Sequence, residues 1–330
     1  MNAMTITSRL DTRPRGSARG QRGAALLTAM IIVALVATLA AAMVWQQWRA
    51  VQVEAAERAR AQSTWILRGA LDFALLILKE DAKGTRTTTA LTEPWATPLE
   101  ESRLSTFLAV DKANADDGPE AFLSGNITDA QARFNLTNLV VAGGKVFKRN
   151  SDALLVMQRL CSAIGVDASV AGRVADGLVA AKTVVNGPAT AAPLEPKTVS
   201  QLTWLGIDAA TVQALQPFVV ILPESTPVNV NTAPKEVLAA VANIDPASAE
   251  RLVQSRQRTP FQSIPLFQQQ VAAPNMPTSG YDVRSSYFEV RGRLRFDDHV
   301  LTERSIVHRN GTMLTVQQRE RIASLEQVGG

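Results

Sequence analysis

The sequence predicts an α+β protein: a long N-terminal helix packed on a small antiparallel sheet, with a large α-helical insert. Three observations carry this. Ala24–Trp45 reads AALLTAMIIVALVATLAAAMVW, 22 residues with no charge, proline or glycine. Residues 148–275 are patterned mostly as helices, and one short turn pattern returns three times within them. After residue 285, three apolar/polar alternations follow, joined by tight-turn signals. The chain thus divides into a basic leader (1–23), a membrane-spanning part of the first helix (24–45), the helix continuation with the first part of the sheet domain (46–139), the inserted helical domain (140–280), and closing strands with a tail (281–330).

The first helix comes from length and composition. At ~1.5 Å per residue, Ala24–Trp45 makes about 33 Å of helix, enough to cross a ~30 Å hydrocarbon core. The chain carries a net charge of +4 and has a sequence pI of about 9.4, which invites a nucleic-acid reading. That reading weakens because Arg9, Arg13, Arg15, Arg19 and Arg22, less Asp11, place all of the +4 before residue 24. Positive charge on one side of an apolar helix is an orientation signal that keeps that end in the cytoplasm. The bulk of the chain is then expected in the periplasm, held by a single pass through the inner membrane. A cleaved secretory signal fits poorly, since the apolar stretch exceeds the usual 7–15 residue core.

From Gln46 to Asp81 the helical signals continue, with Gly69 the one glycine. Ile66, Ala70, Phe73 and Ile77 are spaced as one apolar stripe, and Lys83-Gly84 reads as the stop. Anchor and continuation together make about 58 residues, or ~85 Å. Gly84–Gly118 reads as a loop-rich connection, in which Ser102–Val110 has the pattern of a short helix. Its acidic patch offers Asp111, Asp116 and Asp117 as candidate calcium ligands, oxygen donors of the kind that ion accepts. The patch lacks EF-hand spacing and a terminal bidentate Glu, so a solvated loop is the main reading and no cofactor is required. In Ala121–Leu139, Gly125–Thr128 and Arg133–Leu136 alternate around Asp129–Ala132 and read as a hairpin.

Within the insert, Gly165-Val166-Asp167, Gly206-Ile207-Asp208 and Asn243-Ile244-Asp245 each separate two apolar helices, and each Asp is placed to cap the next helix. The last copy, within Val228–Phe267, resembles a helix-hairpin-helix module, which makes a membrane-anchored DNA-binding protein for DNA uptake the rival function. Against it, the turn lacks glycine, carries a carboxylate that repels phosphate, and lies in a segment of net charge +1. Cys161 lies in an apolar run and reads as an inert core thiol. In the closing strands Phe288, Val290, Leu294 and Phe296 share a face, and Asn310-Gly311 is a hairpin turn. His299 and His308 have no zinc-ligand spacing, and no catalytic constellation emerges, so the chain is not expected to be an enzyme.

A basic leader ending in Gly23, followed at once by an apolar helix, resembles type IV pilins and type II secretion pseudopilins. Most such proteins carry Glu at the fifth mature position; counted from Ala24 that position is Thr28. Its absence marks the minor pseudopilin K of type II secretion. The segment Asp129, Gln131, Arg133, Phe134, Asn135, Leu136, Asn138, Leu139 resembles one that opens the helical insert in that family. An Asp- and Trp-rich stretch common there is missing: 174–193 retains only Asp176. The resemblance implies a pilin-like fold with a helix-hairpin-helix or SAM-like insert. It also implies cleavage between Gly23 and Ala24 by prepilin peptidase, N-methylation at Ala24, and a structural place at the pseudopilus tip that supports export of folded proteins. The implied partners are the I-type and J-type minor pseudopilins, the major pseudopilin and the inner-membrane secretion platform, with no nucleic acid.

Overall fold

The computed structural model describes residues 21–84, 88–104, 121–143, 146–183, 193–271, 276–277, 279–296 and 299–322. Asp111, Asp116 and Asp117 and most of the 102–110 stretch lie outside these residues. The chain divides into two compact units, 1–62 and 63–330.

The first unit consists, among its described residues, of the first 42 residues of helix α1 (Gln21–Ala82). Apolar side chains from Leu26 to Trp48 are more than half exposed, as suits a helix whose solvent is lipid. This is the one described helix long and apolar enough to cross a membrane.

The second unit starts with the rest of α1, which ends at Ala82, with Lys83 and Gly84 in the following turn. The buried stripe is Leu67, Leu71, Ala74 and Leu78, one position along from the expected one; Phe73 is 53 % exposed. The expected spacing was right, but neighbouring leucines at the same period meet the sheet instead. That sheet runs β1–β2–β9–β10–β11, all antiparallel: β1 (Leu99–Arg103), β2 (Ala121–Asp129), β9 (Tyr287–Phe296), β10 (His299–Asn310) and β11 (Met313–Ile322). Strand β1, with a 3-10 turn at Pro94–Ala96, replaces part of the expected loop, and Ser102-Arg103 lie in β1 rather than in a helix. Phe288, Val290 and Leu294 are buried beneath α1, and Trp95 packs edge-on to Phe288 at 5.3 Å.

The expected hairpin around Asp129–Ala132 does not form. β2 pairs with β9, while β3 (Phe134–Asn135) pairs in parallel with β6 (Val219–Val220), because the 3-10 turn Ala130–Ala132 redirects the chain into the insert. A small hairpin of β4 (Val140–Gly143) and β5 (Val146–Arg149) follows. The insert then runs α2 (Ser151–Ala163), α3 (Ser169–Lys182), a 3-10 stretch (Val199–Leu205), α4 (Ala209–Leu215), β7 (Val228–Asn229), α5 (Lys235–Ala242), α6 (Pro246–Arg258), α7 (Ile264–Val271) and β8 (Tyr281–Asp282). Its core includes Met157, Leu160, Val174, Leu202, Leu215, Leu238 and Phe267, all fully buried.

The three turns share one geometry. Gly165, Gly206 and Asn243 take left-handed conformations (φ 74°, 78° and 55°). In each, the next residue's N–H reaches the carbonyl five positions back: Val166 to Cys161, Ile207 to Leu202, Ile244 to Ala239. This is the Schellman ending of a helix, and the apolar residue that follows it packs on the core. Asp208 and Asp245 then cap α4 and α6, accepting from Thr211 N and Ser248 N at 2.9 Å. Asp167 accepts from Ser169 N at 2.7 Å, one residue before the cap position of α3.

Candidate functional site

Two regions carry the residues singled out by sequence. The first is the start of α1. The Gly23–Ala24 bond lies within the described part of α1, in helical backbone. Among the described residues nothing lies within 4 Å of where a Cβ on Gly23 would stand. Thr28 Oγ1 donates to Ala24 O at 2.7 Å and Ala25 O at 3.2 Å. A hydroxyl bonded to its own helix presents no carboxylate to a neighbouring amine.

The second region is the seam joining insert and sheet, built from the 129–139 segment. Its polar and apolar residues divide the work. Asp129, buried, accepts from Ser285 Oγ and Thr232 Oγ1, both at 2.5 Å, from Asn229 Nδ2 at 2.9 Å and from Gln131 N at 2.8 Å. Burial pushes its carboxyl up from the ordinary value, and the four donors oppose that rise. Gln131 donates to Pro227 O at 3.0 Å and accepts from the backbone N–H groups of Ser286 (2.6 Å) and Tyr287 (3.1 Å). Asn135 donates to Glu224 O and accepts from Leu222 N; Asn138 donates to Thr226 O and accepts from Thr226 N and Ser225 Oγ. Phe134, Leu136 and Leu139 meanwhile enter the insert core.

Arg133 ends the polar series. It donates to Glu289 Oε2 at 2.6 Å, and Arg291 Nε donates to Oε1 at 2.6 Å; Arg304 Nε lies 3.8 Å away. Burial of Glu289 alone would raise its carboxyl. The three guanidiniums overcome that and hold it below the usual carboxylate value. At the top of the sheet Arg309 joins Asp81 of α1 at 2.7 Å and donates to Thr89 Oγ1 and Ser285 O.

Sequence reading missed Asn229, Thr232, Ser285, Glu289 and Arg309. The one available signal was VNVNTAP (228–234), where asparagines alternate with valines in an otherwise apolar run. Asn231 is buried too, bonding both N and O of Phe261. Arg256, also missed, is buried with no carboxylate paired to it among the described residues, donating to Val230 O and Ala233 O; burial lowers its guanidinium to about 10. Cys161 is buried, and desolvation pushes its thiol up to about 11, as for an inert core group. His308 stacks on Tyr287, with ring centroids 4.6 Å apart.

Comparison with known proteins places this arrangement. Family models described as type II secretion system (T2SS), protein K, match residues 132–224 and 228–291. The type II secretion system protein K of Pseudomonas aeruginosa is 31 % identical over 304 residues, covering 85 % of this chain and 86 % of that protein. The chain belongs to the protein K family. The K proteins of Klebsiella pneumoniae (28 % identical) and Pectobacterium carotovorum (26 %) each cover 91 % of this K-family chain and are 96 % covered by it. A chain of the GspK–GspI–GspJ complex from the enterotoxigenic Escherichia coli type 2 secretion system has the same fold, with TM-score 0.63 and 20 % identity. The match covers 82 % of this K-family chain and 99 % of that one.

This K-family chain is therefore a minor pseudopilin of type II secretion, and the seam is where the family's insert is fastened to its pilin-like sheet. The DNA-uptake alternative has no support among these relatives. At the hairpin itself, Asp245 is committed to capping α6 and leaves a carboxylate beside the turn a phosphate would have to approach.

Proposed function

We propose that this minor pseudopilin is a tip subunit of the pseudopilus, assembled with I-type and J-type partners. The observation that carries the reading is the shared fold with a chain of the GspK–GspI–GspJ complex, together with the identity to protein K over most of the chain. Thr28 supports a terminal position. A subunit that offers no carboxylate at this depth cannot neutralise the N-terminal amine of a neighbour above it.

On this reading prepilin peptidase cuts between Gly23 and Ala24, and Ala24 becomes the methylated N-terminus. The anchor stays in the inner membrane and the second unit occupies the periplasm. The major pseudopilin and the inner-membrane platform are further partners. The role is structural and involves no catalysis. Mass spectrometry of the membrane-purified chain, followed by co-purification with tagged I-type and J-type subunits, tests both halves. A chain beginning at N-methyl-Ala24 and retained by both partners is expected. An uncut leader in cells that possess the peptidase would overturn the processing, and failure to hold either partner would overturn the tip assignment.

A further inference from the structure

Between α1 and the sheet the second unit encloses a cavity of about 280 Å³. Small residues line it, and its two glycines answer close neighbours: a Cβ at Gly125 would meet Arg291 O at 2.7 Å and one at Gly292 would meet Leu67 Cδ2 at 3.2 Å. Gly125 on β2 and Gly292 on β9 are paired in register, and Ala70 and Ala74 lie above them on α1. Much of the remaining wall is apolar, with Leu71, Ile77, Ile127 and Val290 and the prolines Pro94 and Pro98. Phe73, half exposed, marks the opening to solvent.

Thr97, Ser124, Asn126 and Arg291 also border the cavity, none of them buried; the two buried polar residues in its lining both come from β10. Ser305 is 3 % exposed, and its hydroxyl has no hydrogen-bond partner among the described residues. Glu303, 6 % exposed, is met by Arg319 Nε at 3.1 Å. A buried hydroxyl without a partner is costly and uncommon, and it needs a reason. An apolar chamber with a few convergent polar groups at one place is the usual construction of a small-ligand site.

We propose that this cavity binds a small apolar molecule carrying one hydroxyl, of the alkylphenol or medium-chain alcohol class. The head group follows from the two buried polar residues. A hydroxyl donates to the Glu303 carboxylate and accepts from Ser305, completing both. A carboxylate head would be repelled by Glu303, and an ammonium has no unmatched charge to answer because Arg319 already faces Glu303. Size follows from volume: a dry cavity of about 150 Å³ accommodates benzene, so this one has room for a ring with a short alkyl chain.

The test uses 4-propylphenol and the full-length protein in detergent micelles. At saturating ligand the melting midpoint is expected to rise by about 3 °C or more. Ala74→Leu, which fills the chamber, is expected to abolish the shift while staying folded, and its use in the same micelles controls for partitioning of the phenol. Ser305→Ala is expected to melt no lower than the parent without ligand, since it removes the unsatisfied hydroxyl, and to bind the phenol at least three-fold more weakly. No shift in the parent protein would mean that the cavity holds only water and would overturn the proposal. So would an equal shift in Ala74→Leu, or unchanged affinity in Ser305→Ala, which remains informative if Ala74→Leu fails to fold.

Discussion

The side-chain amide of Asn229 donates to the carboxylate of Asp129 at 2.9 Å, although the two residues stand 100 positions apart. The same amide reaches Ser285 Oγ and Thr89 O, so one buried side chain ties together the sheet domain, the start of the insert's last helical pair and the return to β9. Removing the acceptor at the centre strands donors that water cannot reach. Asp129→Ala is expected to lower stability by about 2–4 kcal/mol. Urea unfolding of the detergent-solubilised protein checks this; a loss within 0.5 kcal/mol would show that the donors find other partners.

Glu289 couples the seam to pH. Its folded carboxyl lies below the ordinary value of 4.5, so its contribution is present above that pH and is lost as pH falls through the folded value. The protein is expected to lose stability on acidification below about pH 4.5, and Glu289→Gln to reduce that slope. At neutral pH the same substitution deprives Arg133 and Arg291 of the Glu289 carboxylate, while Arg304 keeps Glu320 at 3.4 Å, at a cost of roughly 3–5 kcal/mol. Melting midpoints between pH 3 and pH 7 measure both effects.

The left-handed turns give a graded series. Asn243→Gly should be neutral or slightly stabilising, whereas Asn243→Ala and Gly206→Ala should each cost about 1 kcal/mol, because a Cβ is disfavoured at positive φ. Equal behaviour of glycine and alanine at both positions would refute the assignment of these turns.

If prepilin peptidase cuts at Gly23 as proposed, the absence of any side chain there is expected to matter to it. Gly23→Leu should leave the chain uncut, detected as a mass larger by the leader. Thr28→Glu should not affect cutting, but should allow the subunit to be recovered below the tip in assembled fibres.

Much of this was legible because it follows from periodicity. The anchor needs only length and apolarity, the closing strands need alternation and an Asn-Gly turn, and the three insert turns repeat a local pattern. The seam was visible only as a resemblance in the 129–139 segment. Its partners Thr232, Ser285 and Glu289 are ordinary polar residues whose meaning comes from contacts across the fold, which no local period encodes. The hairpin expected at Asp129–Ala132 failed for the same reason. Phe134 N bonds to Phe218 O, an acceptor more than eighty positions away, in preference to the strand just completed. The stripe on α1 was displaced by one residue because both choices have helical period and only the sheet decides between them.

Strand β2 ends at Asp129, whose register partner Phe288 comes after the entire insert. A chain cannot join these strands until that loop is closed, and closing it as flexible coil is entropically costly and slow. The insert's helices are local in sequence and can collapse first, and the β7–β8 pair at Val228–Tyr281 then brings the two ends of the gap together. The topology favours this order: the inserted domain acts as the clasp that lets the sheet close, and a chain with a damaged insert is expected to emerge with β2 and β9 as unpaired, aggregation-prone edges.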